Sequence, residues 1–243
     1  MKIYFLLLLL ILLTSCHVTE TIKINKNGSG TISTDEYRDE EAYKKIAGEN
    51  YGKEEKFQDT TYLFKDFINK HNTTFFGFND NEKAILLNYK DVVVAINKNI
   101  NNKIFKTVIS QKFNKIEEVP DLYKAEDYAE DLKKNYVLTA EEHYFNVKFT
   151  FDGTVFRRIV DITSKENQEK KTLEIEDMMA QFAKIPISQT YVLNYSFPKK
   201  IKYVSNNNAV LSDDKMKMKI EFVLSACIIN PDITNLEIVL ENK

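Results

Sequence analysis

Over residues 215–224, the apolar Met216, Met218, Ile220, Phe222 and Leu224 alternate with Lys215, Lys217, Lys219 and Glu221. Side chains leave a strand on opposite faces in turn, so this pattern fits an extended chain with one face buried. Wound as a helix, the same segment would turn Met218 and Phe222 away from the side that holds Met216, Ile220 and Leu224. The chain must therefore build a sheet that is dry on one face and wet on the other.

Two more segments carry this period together with a turn. In residues 19–34, Ile22 and Ile24 alternate with Lys23 and Asn25; Asn27, Gly28, Ser29 and Gly30 then tolerate positive φ, and Ile32 resumes the alternation. In residues 143–162, Phe145, Val147, Phe149 and Phe151 alternate up to Asp152-Gly153, a pair suited to a type I′ turn. Both read as β-hairpins. The β-branched and aromatic runs at 91–97 and 103–113 read as strands. The last fifty residues read as strand and turn throughout, with Asn206, Asn207 and Asn208 as one turn.

Helical spacing is clearest from Pro120 onward, where Leu122, Ala125, Ala129, Leu132 and Tyr136 recur at steps of three and four. Asn79 and Glu82 have the spacing of a capping box opening a short helix. Residues 172–185 read as helix with Leu173, Met178, Met179 and Phe182 as buried candidates. Residues 59–71, with Tyr62, Leu63, Phe64, Phe67 and Ile68, favour helix over strand. A weak helix lined by Tyr37, Tyr43, Ile46 and Ala47 is expected in the polar stretch 35–58. The expected fold is α+β: a mainly antiparallel sheet, the N-terminal hairpin near the C-terminal strands, and helices packed on one face.

The first sixteen residues are of another kind. Lys2 precedes the apolar run 3–13, which only the amphipathic Tyr4 interrupts. That run is well short of the ~20 residues a spanning helix needs, and it has the length and flanks of a signal-peptide core. Leu13, Thr14, Ser15 and Cys16 follow. They resemble the lipobox of bacterial lipoproteins, in which the cysteine thiol takes a diacylglycerol and the chain is cut just before it. The resemblance implies cleavage between Ser15 and Cys16, loss of residues 1–15 as signal peptide, palmitate-type acylation of Cys16, and one lipid-anchored domain over 16–243. Two or three acyl chains, at ~0.8 kcal/mol per buried methylene, give essentially permanent attachment. His17 stands where an Asp would resemble the inner-membrane retention signal of enteric bacteria. The outer membrane is therefore the expected address, with either leaflet open.

Charge and motif content exclude more than they assign. Formal net charge is −2, and loss of Lys2 takes it to −3, a balance that speaks against nucleic acid as a partner. With Cys16 lipidated, Cys227 is the one remaining cysteine, so no internal disulfide forms. Cys227 lies in an apolar run without cationic neighbours and reads as a buried small hydrophobe. Gly28-Ser29-Gly30 lacks the Lys and following helix of a phosphate loop. Asp39, Glu40 and Glu41, and the Asp80–Glu82 neighbourhood, lack calcium-ligand spacing. His17, His71 and His143 are far apart, and no GxSxG, HExxH, CxxC or dinucleotide motif occurs. No cofactor or metal is expected. Arg157 and Arg158 are expected as solvated partners of nearby carboxylates. Lys199, Lys200 and Lys202 with Lys215, Lys217 and Lys219 are candidates for one basic sheet face. Of these, Lys200, Lys202, Lys217 and Lys219 are the candidate surface contacts to anionic headgroups. The competing role for such lysines is to keep a sheet soluble and its edges unpaired.

With its lipobox, its Asn-Gly-Ser-Gly opening hairpin and its closing aromatic-Pro-Lys strand and Asn-rich turn, the chain resembles lipoproteins of the Bacteroidota style. It is also similar to LppM-type lipoprotein domains, which implies an α+β fold with that opening hairpin and contact with lipid or envelope glycolipid. The expected function is a membrane-tethered, non-catalytic envelope module that binds a ligand or protein partner. Two alternatives stand beside it. A tethered hydrolase would need an Asp/Glu pair in a cleft. A structural subunit of an envelope complex would need a large exposed apolar patch.

Overall fold

The computed structural model describes residues 16–51, 57–135, 137–181, 183 and 188–242. The expected signal segment 1–15 with Ser15, and the expected buried Tyr136 and Phe182, lie outside these residues. The twelve strands among them are β1 (Cys16–Ile24), β2 (Gly30–Arg38), β3 (Phe57–Leu63), β4 (Val93–Asn99), β5 (Ile104–Phe113), β6 (Phe145–Phe151), β7 (Val155–Ile162), β8 (Thr190–Ser196), β9 (Ile201–Val204), β10 (Val210–Leu211), β11 (Lys217–Val223) and β12 (Leu236–Leu240). The helices are α1 (Glu40–Ala47), α2 (Phe64–Lys70), α3 (Asn72–Gly77), α4 (Asp80–Asn88), α5 (Ala125–Lys134), α6 (Lys165–Gln181) and α7 (Leu224–Ile229).

The strands form two sheets. The larger has the order β10-β11-β8-β1-β2-β5-β4-β3, and the smaller β6-β7-β12-β9. Neighbours pair antiparallel except β1 and β8, which run parallel with His17 opposite Thr190. The N-terminal hairpin is thus inserted between β5 and the C-terminal strand β8, as the expected fold required. Its register runs from Cys16↔Arg38 to Ile24↔Gly30. Gly30 is required there: a Cβ would overlap the Lys23 carbonyl oxygen and fall 2.5 Å from the Phe113 ring.

The period-two pattern becomes a one-sided sheet. Val18, Ile22 and Ile24 on β1, Ile32 on β2, Ile109 on β5, Leu193 and Tyr195 on β8, and Met218 and Ile220 on β11 are buried on one face. Among the described residues, the other face of that sheet is at least partly exposed everywhere. The buried face meets the small sheet through Val147, Phe149, Phe156, Leu236 and Ile238, and meets Phe64, Leu86, Tyr128, Leu132 and Cys227 from the helices. These form one continuous core.

Several local expectations change. Residues 59–71 begin as β3 and become helix only at Phe64, because Tyr62 pairs opposite Val94. Tyr37 belongs to β2 rather than to a helix, and α1 starts only after Asp39, whose side chain caps Glu41 and Ala42. The helix expected from Pro120 opens as a 3₁₀ turn at Leu122–Lys124 and turns α-helical at Ala125, burying Tyr128 as well as Leu122, Ala125, Ala129 and Leu132. In α6 the buried residues are Ile175 and Met178, whereas Leu173 and Met179 are exposed. The apolar run after β11 is not strand but α7, with Ile228 and Ile229 against Ile175 and Met178 of α6. The Asn79–Glu82 capping box forms with both of its hydrogen bonds.

Candidate functional site

The first cluster of note lies between the sheets. Glu20 points inward from β1 and Arg158 inward from β7, and both are buried. Arg158 Nε donates to Glu20 Oε1 at 3.1 Å, and Nη2 donates to Tyr191 OH at 2.7 Å. Nη1 donates to Thr234 Oγ1 at 2.7 Å. The Glu20 carboxylate also accepts from Tyr123 at 2.9 Å, Tyr191 at 3.1 Å and Tyr195. Desolvation pushes the hydroxyls of Tyr123, Tyr191 and Tyr195 well above the ordinary phenol range. Every group here is satisfied by another, so the cluster acts as a pin between layers rather than as a reacting centre.

A second cluster joins β2, β5 and α5. Glu36 and Glu126 are partly buried, and burial followed by carboxylate repulsion raises them to about 7 and about 8 respectively. Glu126 hydrogen-bonds the Thr107 side chain, and the adjacent Asp127 lies 2.8 Å from His143 Nε2. Nearby, Asp121 accepts from the Val147 and Tyr123 amides and is raised by burial. Among the described residues, no group of three or more His, Cys, Asp or Glu side chains has the arrangement to hold a metal ion.

The third is a hollow of about 720 Å³ where the far ends of the two sheets meet. Lys26, Asn27 and Gly28 reach it from the β1–β2 turn, and Asn114, Lys115, Ile116 and Glu117 from the chain after β5. Phe151 and Gly153 come from the β6–β7 turn, Pro198 and Lys199 from the link between β8 and β9. Three lysines thus face one carboxylate. Glu117 is engaged with the Phe151 amide at 2.6 Å, and Lys199 Nζ donates to the Gly153 carbonyl at 3.0 Å. Ile116, Phe151 and Pro198 add apolar surface. A smaller hollow of about 290 Å³ lies beside Lys90, Lys112 and Glu118. Neither is lined by Glu36 or Glu126.

The structure distributes the sequence candidates as follows. Cys16 is the first residue of β1, opposite Arg38. Lys217 and Lys219 project from the large sheet, whereas Lys202 projects from the small sheet and Lys200 precedes it. The four do not share one sheet face, because the chain crosses between layers after Pro198. Lys219 pairs with Glu221 at 3.2 Å. Arg157 is the solvated arginine, paired with Glu237 at 2.8 Å; Arg158 is not solvated, because it lies in phase with the buried Phe156 and Val160. Cys227 is buried, which raises its thiol to about 12. No helix among the described residues is long and apolar enough to cross a membrane.

Sequence reasoning passed over Glu20 and placed Arg158 in solvent, yet each carries a readable signal: a charge in the buried phase of an alternating strand. Lys26, Lys115 and Lys199 offered none, since only the fold brings their three loops together.

No protein-family model matches this chain, and no curated protein matches its sequence. The structure is similar to the folded domain of the LppM protein of Mycobacterium tuberculosis, solved by NMR, with a TM-score of 0.40 and 8% identity. The likeness covers 95% of this chain and 92% of that one. It assigns no ligand, partner or activity here.

Proposed function

We propose that the protein is a lipid-anchored, non-catalytic binding module of the bacterial envelope, tethered through Cys16, that takes an anionic ligand with an apolar portion in the lysine-lined hollow. The observation that carries this reading is the placement of the two features. Cys16 opens the nine-residue strand β1, and the hollow surrounds the turn beyond its other end, at Lys26–Gly28. At ~3.3 Å per residue the eight steps from Cys16 to Ile24 separate the two ends of the strand by about 26 Å. A membrane at one end leaves the hollow open at the other. The excess of lysine over carboxylate sets the sign of the ligand, and Ile116, Phe151 and Pro198 give it something to pack on. The outer membrane is the proposed address, on the His17 argument given above.

The test has two parts. Wild type is expected to incorporate labelled palmitate and to fractionate with outer membranes; Cys16→Ala is expected to do neither. In nanodiscs, the wild type is expected to bind phenyl phosphate, and benzyl alcohol much more weakly. Lys26→Glu and Lys115→Glu are each expected to weaken phenyl phosphate at least tenfold. Equal binding of the two probes, or no effect of either reversal, rejects the hollow as the site.

One observation favours a second reading, a tethered hydrolase: the raised carboxyls Glu36 and Glu126 suit acid–base work at neutral pH. Against it, that pair sits between β2 and α5, outside both hollows. Turnover of any glycoside or ester that is abolished by Glu126→Gln would establish it.

A further inference from the structure

The open face of the large sheet is not uniform. At the Cys16 end one register row runs Thr190, His17, Tyr37, Lys106, Asn97 and Asp59. One step outward on the same face, Ile104 and Phe57 flank Asn99. Tyr37 is 43% exposed, Ile104 38% and Phe57 62%. His17 stacks on Tyr37 with ring centroids 6.3 Å apart, and its Nδ1 lies 2.7 Å from Thr190 Oγ1. The tyrosine is thus supported by a neighbour that is itself held. Lys106 and Lys103 stand at the same end, paired with Asp35 and Glu41, and α1 adds the exposed Lys44 and Lys45. The far half of the same face is polar, with Thr21, Lys23, Thr31, Lys112, Asn194 and Lys217. Val210, 69% exposed on β10, is apolar there, and Val93 and Leu63, at the other end of the same register row, are half-buried.

What covers the apolar end follows from where the anchor joins it. On the lipid-anchor reading the acyl chains leave the protein at Cys16, one residue from His17 and one strand from Tyr37. No linker separates the attachment point from the sheet, since Cys16 already pairs with Arg38. Aromatic side chains with a polar tip, flanked by lysine, are what the headgroup–acyl boundary accepts. We propose that the rim formed by Tyr37, Ile104 and Phe57 seats in that boundary of the bilayer holding the Cys16 lipid, so that the domain stands on its membrane in a fixed orientation. This rests on the lipid-anchor reading above. It adds that the anchor and the protein surface act together: the acyl chains supply retention, and the rim supplies orientation.

The chain contains no tryptophan, so one substitution gives a reporter without background. Full-length protein would carry Ile104→Trp, Phe57→Trp or, as control, Val210→Trp. Each is purified from membranes and reconstituted into phosphatidylethanolamine–phosphatidylglycerol vesicles with brominated acyl chains. Intact mass establishes acylation of each sample. The expected result is a blue-shifted emission for both rim reporters, quenched at least threefold more than the control. Equal quenching at all three positions in acylated protein overturns the fixed orientation and leaves the anchor standing. An intact mass without acyl chains overturns the anchor reading, and this inference with it.

Discussion

Arg158 meets Glu20 across the interface of the two sheets, Nε to Oε1 at 3.1 Å, although 138 residues separate them in the chain. Removing one partner strands the other charge in the core. Arg158→Met is expected to cost ~3–5 kcal/mol, and the double variant with Glu20→Gln to regain most of that loss. Urea denaturation of the wild type, the single and the double variants gives the comparison. A double variant no more stable than the single would mean that the pin holds more than its own charges.

Glu36 and Glu126 predict a stability that falls as pH rises. Their folded values of about 7 and about 8 lie above the ordinary carboxyl value of 4.5. Below the ordinary value both states hold the protons, and the contribution is fully present. As pH climbs to the folded values, the unfolded chain releases protons that the folded chain retains, and the contribution is lost. The titratable groups facing the pair are Asp127, itself 2.8 Å from His143 Nε2, and Tyr62. The denaturation midpoint is therefore expected to be higher at pH 5.5 than at pH 8.5. Glu126→Gln should remove most of the slope, a difference on the order of 2 kcal/mol. A variant with the wild-type slope would contradict the assignment.

Gly30→Ala tests the tightest point of the N-terminal hairpin. Its added methyl must displace either the Lys23 carbonyl or the Phe113 ring. A loss of roughly 1–3 kcal/mol is expected from such overpacking, visible as a lower melting temperature.

Cys227 is expected to be inert while the protein is folded. Burial raises its thiol to about 12, so little thiolate exists at neutral pH. With Cys16→Ala leaving it the sole thiol, alkylation at pH 8 should run at least ~100-fold faster in urea than in buffer. Equal rates would place α7 in exchange with solvent.

The period-two segments carried over into structure almost unchanged, because a half-buried strand writes both of its faces into the local sequence. β1, β2, β6, β7 and β11 all come from such stretches. Where burial is not periodic, the local signal failed. Of the expected core residues of α6, Met178 is buried but Leu173 and Met179 are exposed, and Ile175 joins Met178 because α7 packs on their side of the helix. The run around Cys227 has strand composition but bends into α7 directly after Val223. The Glu20–Arg158 pin was half legible, as two charges in buried phase, but nothing local said that they meet. The hollow was not legible at all: Lys26, Lys115 and Lys199 are distant in sequence and meet only after both sheets form.

The parallel pairing of β1 with β8, the one such pairing among the described residues, bears on how this chain can be made. β1 is at the start of the described chain, and its second neighbour spans residues 190–196. Until those residues are available, β1 has β2 on one side and an open hydrogen-bonding edge on the other, at the centre of what will be an eight-stranded sheet. Assembly therefore waits on the last quarter of the chain. A protein truncated before residue 190 would keep its N-terminal hairpin and present that edge to any other strand it met.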